Sequence, residues 1–384
     1  MTGFFTSPRI AWGPGAIEQL SGLGARRAVV VVDPTVARAG GHRRVVEELA
    51  KSETVVEVVD DLALPDRPEE LDRLVVRLKG TGADWVVAVG GGRVIDATEA
   101  ARFLAERPEG PAAASFSPVV DLPDPPRMRV VAVPTTSGSG GEASWTADVW
   151  APDGTPVELA HRALVPDWAL VDPAFAQSLS SELRVEGALE TAAQALEAYL
   201  SAWANPFSDA LAADALATVL ERLPHALRWS DDPDAKAALH FAATSAGLAS
   251  SNAQRGLAHA LARALVGPTG LSYGRLIGTV LPAVLEFDRP SARDRLEALT
   301  TAVVRGEGAT RVPLASRFAR LFETFRFPTD LVAAGADPER LRAARGTIVA
   351  HVLRSPAVLA NPRVPSAEDV GRLLDTVTGR ARAP

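Results

Sequence analysis

Short apolar runs alternate with amphipathic segments through the first part of the chain. RAVVVVDP (27–34), TVVEVVDD (54–61) and DWVVAVGGG (84–92) have the Val-rich character of strands. HRRVVEELA (42–50) and EELDRLVVRLKG (69–80), lying between them, carry apolar positions at helical spacing. Such an alternation predicts a parallel sheet covered by helices on both faces, a doubly wound nucleotide-binding pattern. After about residue 178 the strand signal ends. Ala/Leu-rich helical periodicity takes over, broken at NPFSD (205–209), SDDPD (230–234), GPTG (267–270) and FPTD (327–330). The pattern predicts two domains, an α/β dinucleotide-binding domain over 1–178 and an all-helical domain over 179–384. ERPEGPAAASFSPVVDLPDPP (106–126) is expected to be a long, mobile loop.

Composition narrows the chemistry. The 384 residues carry 40 Lys and Arg against 47 Asp and Glu, a net charge of -7, with the two signs interspersed. No basic run tracks a phosphate backbone, so no nucleic-acid partner is expected. The chain has no cysteine. Disulfides, thiolate-held zinc, iron–sulfur clusters and a thiol nucleophile are thereby excluded, leaving His, carboxylates and other oxygen donors for any metal. MTGFFTSPRIAWGPG at the N-terminus lacks a basic segment followed by a long apolar one. No stretch approaches the roughly 18 consecutive apolar residues that span a bilayer. A soluble, unprocessed, cytoplasmic protein without a membrane partner is expected.

Three stretches carry candidate chemistry. In DWVVAVGGGRVIDATEAAR (84–102) three glycines join a buried strand to a helix, the layout in which backbone amides at a helix N-terminus bind a pyrophosphate. The order is not the usual G-x-G-x-x-G, and a tight strand-to-helix turn is the alternative. Asp33, ending VVVVD, stands where a carboxylate accepts from ribose hydroxyls and repels a 2'-phosphate, which favours NAD over NADP. A strand-terminal Asp that only makes a turn before Pro34 fits the same residues. Finally, ETAAQALEAY (190–199) places Glu190, Gln194 and Glu197 on one helix face. That face is either solvated or a site.

VAVPTTSGSGGEAS (131–144), some forty residues after the glycine triplet, resembles the iron-containing alcohol dehydrogenase family. The resemblance extends through SPRIAWGPGAIEQL (7–20), GGGRVIDATEA, ALVDPAFAQSLSSEL (169–183), GALETAAQALEAY (187–199), SNAQRGLAHALARALVG (251–267) and YGRLIGTVLPAVLEFD (273–288). It implies the dehydroquinate synthase-like architecture of that family, with the catalytic site in the cleft between the two domains. It also implies that Gly90, Gly91, Gly92 and Asp96 cradle the dinucleotide phosphates, and that Thr135, Thr136 and Ser139 line the adenine and ribose side.

Departures from the family pattern bear on the reaction. The family's metal is held by an Asp, a His four residues later, a His on a second helix and a His opening a third segment; the matching positions here are Glu190, Gln194, His259 and Tyr273. A carboxamide is a poor ligand beside an imidazole, and a phenol with pKa near about 10 must lose its proton to bind well. No catalytic metal is therefore expected. Two changes fall in the cofactor loop, where Arg93 and Glu99 stand at positions usually held by Ser and Lys. Arg255, His259 and Arg263 are expected along one face of a helix over 253–266, with Arg275 two residues after Tyr273. A fixed guanidinium in the metal's place points to a carboxylate-bearing substrate, with Arg263 and Arg275 as candidates and Arg255 more simply solvated. His259 is the expected general base and Tyr273 the donor and proton relay. His161 is a second-tier candidate. The favoured expectation is an NAD-dependent, metal-independent dehydrogenase acting on a small molecule or peptide that bears a carboxylate. Divergent members resembling it oxidise the C-terminal threonine of a ribosomal peptide in daptide-type pathways, and the resulting beta-keto acid then loses carbon dioxide. The alternatives are a small-alcohol dehydrogenase, a maleylacetate-type reductase, or a catalytically silent member that binds dinucleotide or a partner. A homo-oligomer is expected.

Overall fold

The computed structural model describes residues 5–62, 68–106, 126–150, 156–228, 232–305 and 311–379. The long loop expected over 106–126 falls mostly outside these residues, as do the first two residues of the break at SDDPD (230–234), whose Asp232 caps the helix that follows. The chain divides into two compact units, Met1–Leu179 and Ser180–Pro384.

The first unit is built on strands β1 (Arg9–Trp12), β2 (Arg27–Val32), β3 (Val55–Val59), β4 (Trp85–Gly90), β5 (Arg129–Pro134), β6 (Thr146–Trp150), β7 (Pro156–Ala160) and β8 (Trp168–Val171). Six of them form one sheet in the order β1-β8-β5-β4-β2-β3. Every pairing within it is parallel. Helices α1 (Pro34–Arg38), α2 (Arg43–Ala50), α3 (Pro68–Thr81) and α4 (Gly92–Ala105) connect the strands. Alternate side chains of one strand pack into different layers. Val30, Val32, Val87 and Val89 join Ile17, Leu20, Val45 and Leu49 on one face, while Val29, Val31 and Val86 join Leu74, Leu78 and Val94 on the other. Burial on both faces explains why the strands read as unbroken apolar runs. The remaining strands, β6 and β7, pair antiparallel as a separate ribbon.

Strand β2 lies between β3 and β4, so the chain leaves β2 toward one edge and returns to the other side of it. The gap beyond the carboxyl ends of β2 and β4 is a topological switch point, where open α/β sheets bind ligands. Asp33 and the glycine triplet flank that point.

The second unit is helical among its described residues: α5 (Ser181–Leu200), α6 (Pro206–Arg228), α7 (Pro233–Ala253), α8 (Leu257–Thr269), α9 (Tyr273–Asp288), α10 (Arg293–Ala302), α11 (Leu314–Phe325), α12 (Pro338–Arg354), α13 (Ala357–Ala360) and α14 (Ala367–Val377). Helix α5 is buried along its last eleven residues but for Glu190, and it packs against α6, α7 and α9. Its alanines 188, 192, 195 and 198 belong to the core, and their small side chains let neighbouring helices approach closely. The single helix expected over 253–266 is instead two. Gln254 adopts φ 70°, ending α7 at Ala253, and α8 begins at Leu257 after Gly256. Arg255 therefore lies in the junction and not on the face of α8. No helix of the described residues is long and apolar enough to cross a membrane.

Candidate active site

The glycine triplet joins β4 directly to α4, with Gly91 at the N-cap and no side chain capping the helix. A helix N-terminus of this kind holds an anion on its first amides in other proteins. The stretch after β5 folds over these glycines. A Cβ at Gly91 would lie 3.1 Å from Cγ2 of Thr136, and one at Gly92 would lie 2.5 Å from Oγ of Ser139. Thr135 ties the two loops by donating its amide to the carbonyl of Gly90 at 2.9 Å. Glycine at 92 is therefore a packing requirement, and Thr135, Thr136 and Ser139 do converge on the triplet. Asp96, one turn into α4, accepts the amide of Asp148 at 3.1 Å, which fastens the β6–β7 ribbon to this helix. Asp33 caps α1, its Oδ1 accepting from the amides of Thr35 and Val36 at 2.7 and 3.3 Å. The turn and the ribose role are compatible, because the described residues show no hydrogen bond to its Oδ2. Glu99 is wholly buried on α4, and neither of its oxygens has a partner among the described residues. Burial pushes its carboxyl well above the usual range, and Asp96 adds to the effect.

In the helical unit the polar stripe of α5 is not a solvated face. Gln194 and Glu197 are 0% and 4% exposed, and Glu190 is half-buried. Glu197 reaches the N-terminus of α8, where it accepts the amide of Gly256 at 2.9 Å and that of Ala258 at 2.5 Å. It also pairs with Nδ1 of His259. A carboxylate accepting from helix amides is an acceptor on its remaining side too, so Nδ1 carries the proton and donates. That tautomer leaves Nε2 with its lone pair, and Nε2 has no partner among the described residues. His259 is 1% exposed. Burial holds its imidazole below the ordinary range; Glu197 opposes this, while the charges of Arg255 and Arg263 add to it. A neutral imidazole with an open nitrogen is the form a general base needs.

A second layer secures the pair. Asn361, after α13, accepts the amide of Leu257 at 3.0 Å and donates to Asp288 at the end of α9 at 2.6 Å. Asp288 is 2% exposed, and burial pushes its carboxyl up to about 7. Gly256 is fitted to this arrangement, since a Cβ there would come within 2.9 Å of both Asn361 Oδ1 and Glu197 Oε1. Sequence reasoning singled out Glu197 only as part of a helix face and passed over Asn361 and Asp288.

The other candidates divide. Tyr273 opens α9 with its ring 6.1 Å from that of His259, and its hydroxyl points to the His259 carbonyl at 3.5 Å. Gln194 Oε1 accepts from the hydroxyl of Ser250 at 3.0 Å. Arg263 is buried on α8, one turn after His259. Arg275 corrects the expectation of a substrate fork. Its Nε donates to Glu186 at 3.0 Å and Nη2 to Glu182, with Nη1 3.5 Å from the Ala334 carbonyl, so the guanidinium clamps α9 to α5. His161 accepts the amide of Ala163 at 2.9 Å and caps a short 3₁₀ turn.

A family model described as iron-containing alcohol dehydrogenase matches residues 7–173, and one described as the C-terminal part of the Fe-containing alcohol dehydrogenase family matches residues 184–378. The chain belongs to the iron-containing alcohol dehydrogenase family. It is 31% identical over 309 residues to the probable alcohol dehydrogenase EutG of Escherichia coli, covering 78% of this chain and 76% of that protein. The NADPH-dependent butanol dehydrogenase of Clostridium saccharobutylicum is 25% identical, with 97% of each chain covered. The NAD-dependent methanol dehydrogenase of Bacillus methanolicus is 24% identical, with 97% of this chain and 99% of that one covered. Among solved structures, the iron-containing alcohol dehydrogenase of Thermococcus thioreducens superposes with a TM-score of 0.88 at 26% identity over the whole of both chains. The protein is an alcohol dehydrogenase-type oxidoreductase.

Of the four positions at which the family resemblance places metal ligands, Glu190 and His259 keep donors suited to a divalent cation, whereas Gln194 and Tyr273 do not fit one. Gln194 offers a neutral carboxamide oxygen already engaged by Ser250, and Tyr273 offers a phenol directed at a backbone carbonyl. Among the described residues no three His, Asp or Glu side chains come together to hold a metal.

Proposed function

We propose that this alcohol dehydrogenase-type enzyme uses NAD to oxidise the hydroxyl of a carboxylate-bearing substrate, and that it does so without a metal ion. The observation that carries the reading is the buried Glu197–His259 pair, which leaves Nε2 open at a position where the family has a metal ligand. The substrate hydroxyl gives its proton to Nε2 as its carbon gives a hydride to the nicotinamide ring. The products are a carbonyl compound, NADH and an imidazolium. Glu197 supplies the counter-charge for that imidazolium in a site from which water is excluded. The amides at Gly91 and Gly92 bind the pyrophosphate, and Oδ2 of Asp33 takes the ribose hydroxyls. Relatives include both an NADPH-dependent and an NAD-dependent enzyme, so the preference rests on Asp33 of this chain.

Arg263 supports the anionic substrate, because its charge is buried one helical turn from His259 and acts on that imidazole. A guanidinium binds a carboxylate through two parallel hydrogen bonds. Peptides ending in threonine are the favoured substrates, ahead of free hydroxy acids, since oxidation there gives a beta-keto acid that decarboxylates unaided. The test is a screen for NAD reduction by chelator-treated protein against peptides ending in threonine, hydroxy acids and simple alcohols. Turnover of carboxylate-bearing compounds is the expected result. Turnover of simple alcohols alone, or activity restored only by added iron or zinc, overturns the reading.

A further inference from the structure

At the end of the sheet opposite the glycine triplet, an open pocket of about 590 Å³ is lined by Arg9, Arg102, Arg127, Arg129, Arg162 and Asp167. Arg9 and Arg129 begin β1 and β5, and Asp167 immediately precedes β8, whereas the glycines follow the last residues of β4. A six-residue strand separates the two ends by roughly 17 Å. Five guanidiniums line the pocket in a chain whose net charge is -7.

Arg102 makes this more than a solvated basic patch. It is 4% exposed, donates Nη2 to the carbonyl of Ala163 at 2.5 Å, and has no partner for Nε among the described residues. No carboxylate of the described residues lies within ion-pair distance of it. Glu99, a turn earlier on α4, is the strongest opposing charge to act on Arg102, and its own burial pushes its carboxyl well above the usual range, which weakens that opposition. Burial pushes the Arg102 guanidinium down from its ordinary range. A buried cation with no carboxylate in ion-pair contact is costly, and Glu99, Asp167 and Glu106 offset that cost only at longer range. Asp167 is committed elsewhere, its Oδ2 accepting the amide of Val130 at 2.9 Å and its Oδ1 lying 4.0 Å from Arg129. Arg9 and Arg129 are held over the rings of Trp168 and Trp85, which fixes their guanidiniums at the pocket rim.

We propose that this pocket is a binding site for a small phosphate-bearing molecule, separate from the dinucleotide site. Guanidiniums bind phosphate oxygens through paired charge-assisted hydrogen bonds, and a doubly or triply charged anion supplies the direct counter-ion that Arg102 lacks. The pocket has the volume of a small-molecule site.

The experiment is calorimetric titration of the full chain with inorganic phosphate and with pyrophosphate at constant ionic strength. Wild type is expected to bind pyrophosphate saturably and more tightly than phosphate. Arg127→Glu, at an exposed position on the rim, should weaken binding at least tenfold, and Arg102→Met, where it folds, should abolish it. Arg26→Glu, an arginine 89% exposed in its side chain and outside the pocket, should leave binding unchanged. Gly91→Asp, which blocks the glycine loop, should leave the Arg127-dependent binding in place. Absence of saturable binding by wild type overturns the proposal, as does binding indifferent to Arg127→Glu or lost in Gly91→Asp. A change in solution mass on Arg127→Glu, with no pyrophosphate bound by wild type, makes the pocket a contact between copies of the chain and equally defeats it.

Discussion

Glu197→Gln replaces an oxygen by an NH₂ group at nearly constant shape, at a carboxylate that accepts two helix amides and the Nδ1 proton of His259. Whichever way the carboxamide turns, its NH₂ faces an amide N–H. Turned toward Ala258 it forfeits that bond; turned toward Gly256 it forfeits that one and drives His259 into the other tautomer. At least one charge-assisted hydrogen bond worth about 1.5–3 kcal/mol is lost, and the buried N–H left without an acceptor costs about 1–3 kcal/mol more. A stability loss of about 3 kcal/mol or more is expected in urea unfolding. The catalytic effect is separable from it. Glu197 is the group that holds the His259 pKa up against burial, Arg255 and Arg263. Without it the base weakens and the imidazolium loses its counter-charge, so kcat should fall roughly 100-fold or more, within the range that general-base catalysis supplies. The acid limb of the rate profile should move to lower pH, with NAD affinity unchanged. Nitrogen chemical shifts of labelled histidine report the tautomer without any substrate. A mutant that loses stability but keeps wild-type kcat, pH limb and His259 shifts would reduce Glu197 to a helix cap and refute the dyad.

The Val runs of β2 and β4 declare themselves because strands buried on both faces need apolar residues at every position, and the glycine triplet is legible because its role is local. The β6–β7 ribbon is not, since it exposes part of each strand and carries no clean alternation. The break between α7 and α8 was hidden for another reason. Nothing local shows that Gly256 is needed for clearance from Glu197 and Asn361, which lie 59 and 105 positions away (256 − 197 and 361 − 256). His259 was identifiable by its motif, but its partner is 62 residues distant and makes sense only once α5 is packed against α8. Arg275 misled for the same reason. Its carboxylates sit on another helix, and a guanidinium read without its neighbours looks available when it is already paired.

The remaining expectations test cofactor, substrate and buried charge. Asp33→Ser should cut the preference for NAD over NADP about tenfold or more by removing the carboxylate opposed to a 2'-phosphate, and wild type using both equally would place Asp33 away from the ribose. Arg263→Ala should lower kcat/KM for a carboxylate-bearing substrate about thirty-fold or more with NAD affinity unchanged, whereas Arg275→Ala should act mainly on stability; full activity of Arg263→Ala would remove the carboxylate contact. Asp288→Asn probes the layer behind His259. Burial raises the folded-state pKa of Asp288 from 3.8 to about 7, so the stability it contributes is fully present below the unfolded value and is lost as pH rises through the folded one. At 1.36 kcal/mol per unit, the loss approaches roughly 4 kcal/mol as an upper bound. The asparagine keeps an oxygen for the Asn361 amide to donate to and has no proton to lose. Urea unfolding should therefore show the mutant gaining on wild type between pH 4 and 7 and holding its advantage above that window. A difference constant across the window would mean that Asp288 is already ionised in the folded protein, and that Asn361 and the surrounding dipoles compensate its burial.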